Sequence, residues 1–165
     1  MTESEFRRVF HGNKDAVYNF ALRLTGSSAA AEDLSQECFL ELLRNPSKYN
    51  ANRGPLRSFL LGVTRNLAHR RWREERPTEP LDAEIQGFVP DLIAGEVSMM
   101  VAAAISTLPP LQREVVLLFE YEGFTLDEIA DVVEADVGAV KSRLHRARER
   151  LRHTLAPLRN GAHNT

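Results

Sequence analysis

The chain has 165 residues, one cysteine and a formal net charge of −2. One cysteine excludes an intramolecular disulfide framework, and the five histidines show no ligand spacing with Cys38, so no zinc site or other metal site is expected. No apolar run approaches the roughly 18 residues of a membrane span, and the N-terminus lacks a signal-type apolar core, so the expected setting is cytoplasmic without direct membrane insertion.

Helical periodicity begins at about Glu5, and Val17, Phe20, Ala21 and Leu24 form an apolar stripe that Gly26 stops. Ser27 or Ser28 caps a second helix, "AAAEDLSQECFLELLRN", which ends before Pro46. "PSKYNANRGP" reads as a loop. A third helix runs from about Leu56 to Glu75 and carries "RNLAHRRWREER", with five Arg against two Glu. The next stretch, "RPTEPLDAEIQGFVPDLIAGE", holds three Pro and two Gly and reads as a linker. Its apolar residues, among them Ile85, Phe88 and Leu92, are too many for an inert spacer and suggest docking on a domain or a partner.

Periodicity returns near Val97 with "MMVAAAISTL". Pro109 and Pro110 break the chain, and "LQREVVLLFEYEG" follows with Gly123 at its end. Thr125 and Glu128 have the spacing of a capping box, so a short helix starts at Leu126. Glu134, Ala135 and Asp136 interrupt it, and Asp136 is a natural N-cap for the basic helix "VGAVKSRLHRARERLR". Eight acidic residues and no Lys or Arg lie between Glu114 and Asp136, so the sign of the charge flips abruptly at Lys141. Two helices joined by a tight turn, the second one basic, form a helix-turn-helix pattern.

Val140, Leu144, Ala147 and Leu151 give the last helix a docking stripe. Lys141, Ser142, Arg143, His145 and Arg146 then face outward or flank the stripe, where Arg and Lys can meet base edges and phosphates. These residues are expected to read bases. Arg148, Arg150 and Arg152 are expected to meet phosphates or solvent. By itself such a face is more often solvated than functional. The capping box, the short turn and the basic helix together favour DNA.

The segment from Leu108 to Leu151 resembles region 4 of the extracytoplasmic-function (ECF) sigma factors. The matching pieces are Leu108-Pro109, Arg113-Glu114-Val115, Glu128-Ile129-Ala130, Gly138-Ala139-Val140-Lys141-Ser142-Arg143 and Arg146-Ala147-Arg148, with Ala139 in place of the usual Thr. "LTGSSAAAEDLSQECFLELLRN" resembles region 2 of the same family. "FLLGVTRNLA" is similar to its helix that opens the −10 element, with Leu61 and Gly62 where Tyr and Arg are usual.

The resemblance implies an all-α chain of two small helical domains joined by a linker. Region 2 is expected over 5–75, a linker over 76–97 and region 4 over 98–157. Asp33, Gln36, Glu37 and Phe39 would bind core RNA polymerase at the β′ clamp helices, and the β flap is a further polymerase contact. Asn52, Arg53, Ser58, Arg65, Asn66, His69, Arg70 and Arg73 would contact the −10 element, the loop before the third helix holding a flipped-out base. Thr125, Lys141, Ser142, Arg143, His145 and Arg146 would contact the −35 element. Promoter DNA and an anti-sigma factor are expected partners, with no cofactor and no small-molecule substrate. Trp72 is expected to be a core or lid aromatic and Cys38 a small core residue. The sequence holds no Gly-rich phosphate loop, nucleophile motif or paired carboxylate site, so catalysis is not expected. The alternatives are a stand-alone helix-turn-helix regulator and a helical module that binds acidic partners.

Overall fold

Thr2 opens the first helix earlier than the apolar periodicity does. Its Oγ1 accepts from the Glu5 backbone N–H at 3.1 Å, while Glu5 Oε2 accepts from the Thr2 N–H at 2.8 Å. This reciprocal box starts helix α1, Glu3–Thr25, in the computed structural model, which describes residues 1–82 and 97–157. Gly26 ends α1 at φ 69°, donating its N–H to the Leu22 carbonyl at 2.7 Å. That left-handed conformation suits glycine. Helix α2, Ser28–Arg44, is capped by Ser27, and α3 spans Leu56–Glu75. Between them the loop contains two short 3₁₀ turns, Pro46–Lys48 and Ala51–Arg53.

Helices α1, α2 and α3 pack on one another as a bundle. Val17, Phe20, Ala21, Leu34, Cys38, Leu42 and Leu60 are buried. Cys38 Sγ lies 3.4 Å from the Leu60 carbonyl, which also accepts from Thr64 Oγ1 at 2.8 Å. Desolvation pushes the Cys38 thiol up to about 11. This is the small core residue that the sequence suggested.

The second unit consists of α4, Val97–Ser106; α5, Pro110–Val116; α6, Leu126–Val133; and α7, Val137–Thr154. Leu117–Tyr121 continues α5 as a π-helical turn, a widened ending that the sequence did not signal. Gly123 at φ 68° turns the chain, and the Phe124 N–H returns to the Leu118 carbonyl at 3.0 Å. Arg113 and Glu114 are buried. Arg113 Nη2 donates to the Leu108 carbonyl at 2.8 Å, across the Pro109-Pro110 corner. The Arg-Glu pair therefore belongs to the frame of this unit rather than to its surface.

The described residues form two compact units. The first comprises 1–79 and 132–134, and the second 80–82, 97–131 and 135–157. Among the described residues no strand occurs, and no helix is long and apolar enough to cross a membrane. Ile85, Phe88 and Leu92 lie outside the described residues.

Candidate nucleic-acid and polymerase interfaces

The helix-turn-helix forms through three backbone devices. Thr125 and Glu128 make the expected box, with Thr125 Oγ1 accepting from the Glu128 N–H at 3.2 Å and Glu128 Oε1 accepting from the Thr125 N–H at 2.9 Å. Glu134 then adopts φ 54°, and the Ala135 N–H returns to the Ala130 carbonyl at 3.0 Å. This is the left-handed C-terminal turn that glycine usually supplies. Asp136 Oδ1 accepts from the Ala139 N–H at 2.7 Å and starts α7.

Helix α7 docks as its periodicity requires. Val140 and Ala147 are fully buried and Leu144 nearly so, whereas Leu151 is half-buried. Each Val or Leu so placed contributes about 1.5–3 kcal/mol. Lys141, Ser142, His145 and Arg146 are exposed on one face, at positions i, i+1, i+4 and i+5. Arg143 is half-buried, with Nη1 enclosed and making no hydrogen bond to protein. It sits at the border between the two faces.

Arg148 and Arg152, expected to meet phosphates or solvent, are exposed, and each also has a partner on the protein. The Arg148 guanidinium lies 5.1 Å from the Phe119 ring centre and 3.8 Å from the Glu120 carboxylate, so it is turned toward the π-helical turn. Arg152 pairs with Glu149 at 2.6 Å. In the N-terminal half of α7 the exposed face consists of Lys141, Ser142, His145 and Arg146.

In the first unit, Asp33 and Gln36 are exposed on α2 and Glu37 is half-exposed. Asp33 accepts from Arg71 of α3 at 3.4 Å, and Glu37 accepts from Arg44 at 3.3 Å. Leu40 and Leu43, 41% and 46% exposed, continue the stripe of Asp33 and Gln36. The spacing i, i+3, i+7, i+10 was the signal for these two leucines, and the sequence reading passed over it. Phe39 flanks this stripe but is only 4% exposed, with its ring 5.0 Å from Phe10 and 6.4 Å from Phe6. It packs α2 on α1 instead of facing outward.

Of the expected −10 contacts, Asn52, Arg53, Asn66, Arg70 and Arg73 are exposed. Ser58 is half-buried, and its hydroxyl has no protein partner. Arg65 and His69 are buried, at 8% and 7% exposure, so this state does not present them to a nucleic acid. Arg65 Nη1 donates to Asn66 Oδ1 at 3.1 Å. Trp72 is half-buried, with the Arg76 guanidinium 4.2 Å over its ring, as suits a lid aromatic. Among the described residues, no group of three or more metal-ligating side chains could hold a metal ion.

Comparison with known proteins bears on both units. Residues 9–78 match the family model for sigma-70 region 2, and residues 98–151 match that for sigma-70 region 4. The ECF RNA polymerase sigma factor SigW of Bacillus subtilis (strain 168) is 31% identical over 161 residues, covering 88% of this chain and 86% of its own length. The chain belongs to the ECF sigma factors. The ECF RNA polymerase sigma factor SigL of Mycobacterium tuberculosis (strain ATCC 25618 / H37Rv) is 30% identical over 158 residues, covering 92% of this chain and 89% of its own. The fold matches the sigma factor RpoE in its complex with the anti-sigma factor NepR from Bartonella quintana, at TM-score 0.69 and 23% identity over 92% of this chain and 97% of that one. It also matches CnrH in complex with the cytosolic domain of CnrY, at TM-score 0.70 and 20% identity over 94% and 90% of the two chains. This protein is an RNA polymerase sigma factor: it binds core polymerase and directs it to promoters. Matches to both regions, in order, disfavour a stand-alone helix-turn-helix regulator.

Proposed function

We propose that the two units divide the work of promoter selection. The N-terminal half of α7 reads the −35 element through Lys141, Ser142, Arg143, His145 and Arg146, with Thr125 at the start of α6 touching the backbone. The observation that carries this is the sorting of α7: its apolar stripe is buried, and its Lys141-to-Arg146 face is exposed. A helix docked this way presents its N-terminal half to a major groove.

The first unit holds core polymerase through the outward stripe of α2, made of Asp33, Gln36 and Glu37 with Leu40 and Leu43. Its loop and α3 engage the −10 element. Asn52, Arg53 and Ser58 receive an extruded base, and Asn66, Arg70 and Arg73 follow the strand. Phe39, Arg65 and His69 would meet polymerase or DNA only after a rearrangement that uncovers them. No covalent step is required of any of these residues. The net charge of −2 removes long-range attraction to DNA, so the free protein binds promoters weakly and polymerase supplies much of the phosphate grip.

An anti-sigma partner is part of the proposal. It is supported by the structural relative RpoE, a sigma factor in complex with the anti-sigma factor NepR. Co-purification from uninduced cells would bring that partner down, and constitutive activity with no partner would refute it. Transcription of a genomic fragment library by core polymerase, with and without this protein, tests the main reading. New discrete starts appear only with the protein, and single alanine changes at Lys141 or Arg146 alter which starts are used. Starts that ignore both changes would refute the −35 assignment.

A further inference from the structure

The loop between α2 and α3 has a composition that ought to leave it loose. Residues 45–55 include Asn45, Asn50, Asn52 and Gly54, with no aliphatic core of their own. The structure nevertheless ties the loop at both ends. At its entry, Glu41 of α2 accepts from Asn45 Nδ2 at 3.0 Å and from Lys48 Nζ at 3.2 Å. At its exit, the Tyr49 ring lies 5.4 Å from the Phe59 ring of α3, and the Tyr49 hydroxyl donates to the Gly54 carbonyl at 3.1 Å.

The Tyr49 side chain thus closes a ring of chain around Asn50, Ala51, Asn52 and Arg53. Inside that ring Asn50 Oδ1 accepts from the Asn52 N–H and the Asn50 carbonyl from the Arg53 N–H, both at 3.0 Å. Gly54 adopts φ 150°, a conformation that side-chain-bearing residues avoid, and this aims its carbonyl at Tyr49. Asn52 and Arg53 remain exposed on the outside of the ring. The Lys48 pair is exposed and worth little, so the half-buried Tyr49 is the stronger tie.

We propose that Tyr49 is a positioning residue that locks this loop in its base-receiving shape before DNA arrives. The proposal rests on the reading that Asn52, Arg53 and Ser58 receive an extruded base. Extruding a base has a free-energy cost that loop contacts must offset. A loop already ordered loses little further entropy on binding, so more of its contact energy reaches the base. Tyr49 itself need not touch DNA.

The test uses core polymerase carrying the full chain. The probes are single-stranded non-template oligonucleotides spanning a mapped −10 element, with each of the four bases at the captured position. Tyr49→Phe keeps the ring on Phe59 and deletes only the bond to Gly54. It should weaken the preferred oligonucleotide roughly 2- to 10-fold, the range of one net hydrogen bond. It should also narrow the preference among the four bases, a readout that general destabilisation does not move. Polymerase affinity and −35 duplex affinity should stay at the parent values. Tyr49→Ala, which also loses the ring contact, should lose more. The proposal is overturned if Tyr49→Phe binds all four oligonucleotides as the parent does, or if its loss is matched by an equal loss of polymerase affinity. The paired change Asn52→Ala with Arg53→Ala tests the underlying reading separately. If that pair leaves oligonucleotide binding intact, the base-capture reading fails and takes this proposal with it.

Discussion

Asp136 stands where stability and DNA binding pull in opposite directions. Its carboxylate caps helix α7 through the 2.7 Å bond from the Ala139 N–H, and its negative charge faces the positive end of the helix dipole. The same charge lies at the end of α7 that is proposed to enter the groove, where it meets phosphates unfavourably. Asp136→Ala removes both cap and charge, and should cost about 1 kcal/mol, within a range of about 0.5–2. Asp136→Asn keeps an acceptor of the same reach and loses only the dipole contribution, about 0.3–1 kcal/mol. Amide hydrogen exchange along α6 and α7 in the full chain reads this unit by itself, and a loss of about 1 kcal/mol appears as roughly fivefold faster opening. Binding of a −35 duplex by holoenzyme should move the other way for Asp136→Asn, with equal or tighter affinity and a steeper salt dependence. The reasoning is refuted if Asp136→Ala leaves exchange in α7 unchanged, or if Asp136→Asn destabilises α7 as much as Asp136→Ala.

Leu144→Ala empties a site that is 3% exposed beneath the proposed readout face, and should cost about 2–5 kcal/mol in a denaturant titration followed by the same exchange probes. Glu134→Gly relieves a left-handed φ of 54° and should stabilise the turn by roughly 0.5–1 kcal/mol; equal or lower stability would show that the Glu side chain has other support. Cys38 should resist a thiol reagent in the native chain and react fully in denaturant. With its thiol raised to about 11 from 9.0, the unfolded chain ionises first, so Cys38's contribution to stability is intact below pH 9 and is lost as pH rises toward 11. The Lys48 hydrogen bond, then that of Asn45, holds the Glu41 carboxyl below its usual range. The entry tie of the loop should therefore be present above the ordinary carboxylate value and loosen as pH falls below it; Glu41→Gln should reproduce that loosening at neutral pH, read by amide exchange at Lys48 and Tyr49.

Local chemistry was written plainly enough in the sequence to place most elements. Gly26, Gly123 and the pair Pro109-Pro110 stop or start helices because their backbone freedom differs from that of other residues, whatever surrounds them. Thr125 with Glu128, and Asp136, cap helices through bonds within three residues, so spacing suffices to find them. Thr2 with Glu5 carried the same signal, outside the apolar periodicity that fixed the expected start of α1. The stripe of α7 was legible because helical spacing alone decides which side chains share a face.

What depended on other helices was not legible. Phe39, Arg65 and His69 follow the motif of contact residues, yet all three are buried, and burial is a property of the whole packed chain. Arg148 sits in a run of arginines suited to phosphates and stays exposed, but its guanidinium also meets Phe119 and Glu120 on another element. The reach of Arg71 to Asp33 joins residues whose proximity exists only once the helices have packed, and that of Tyr49 to Gly54 and Phe59 depends on the shape of the loop between them. The sequence by itself determined where helices begin and end, because capping and periodicity act over three or four residues. Tertiary structure alone decided which polar side chains remain free to meet a partner, because desolvation and ion pairing depend on neighbours distant in the chain.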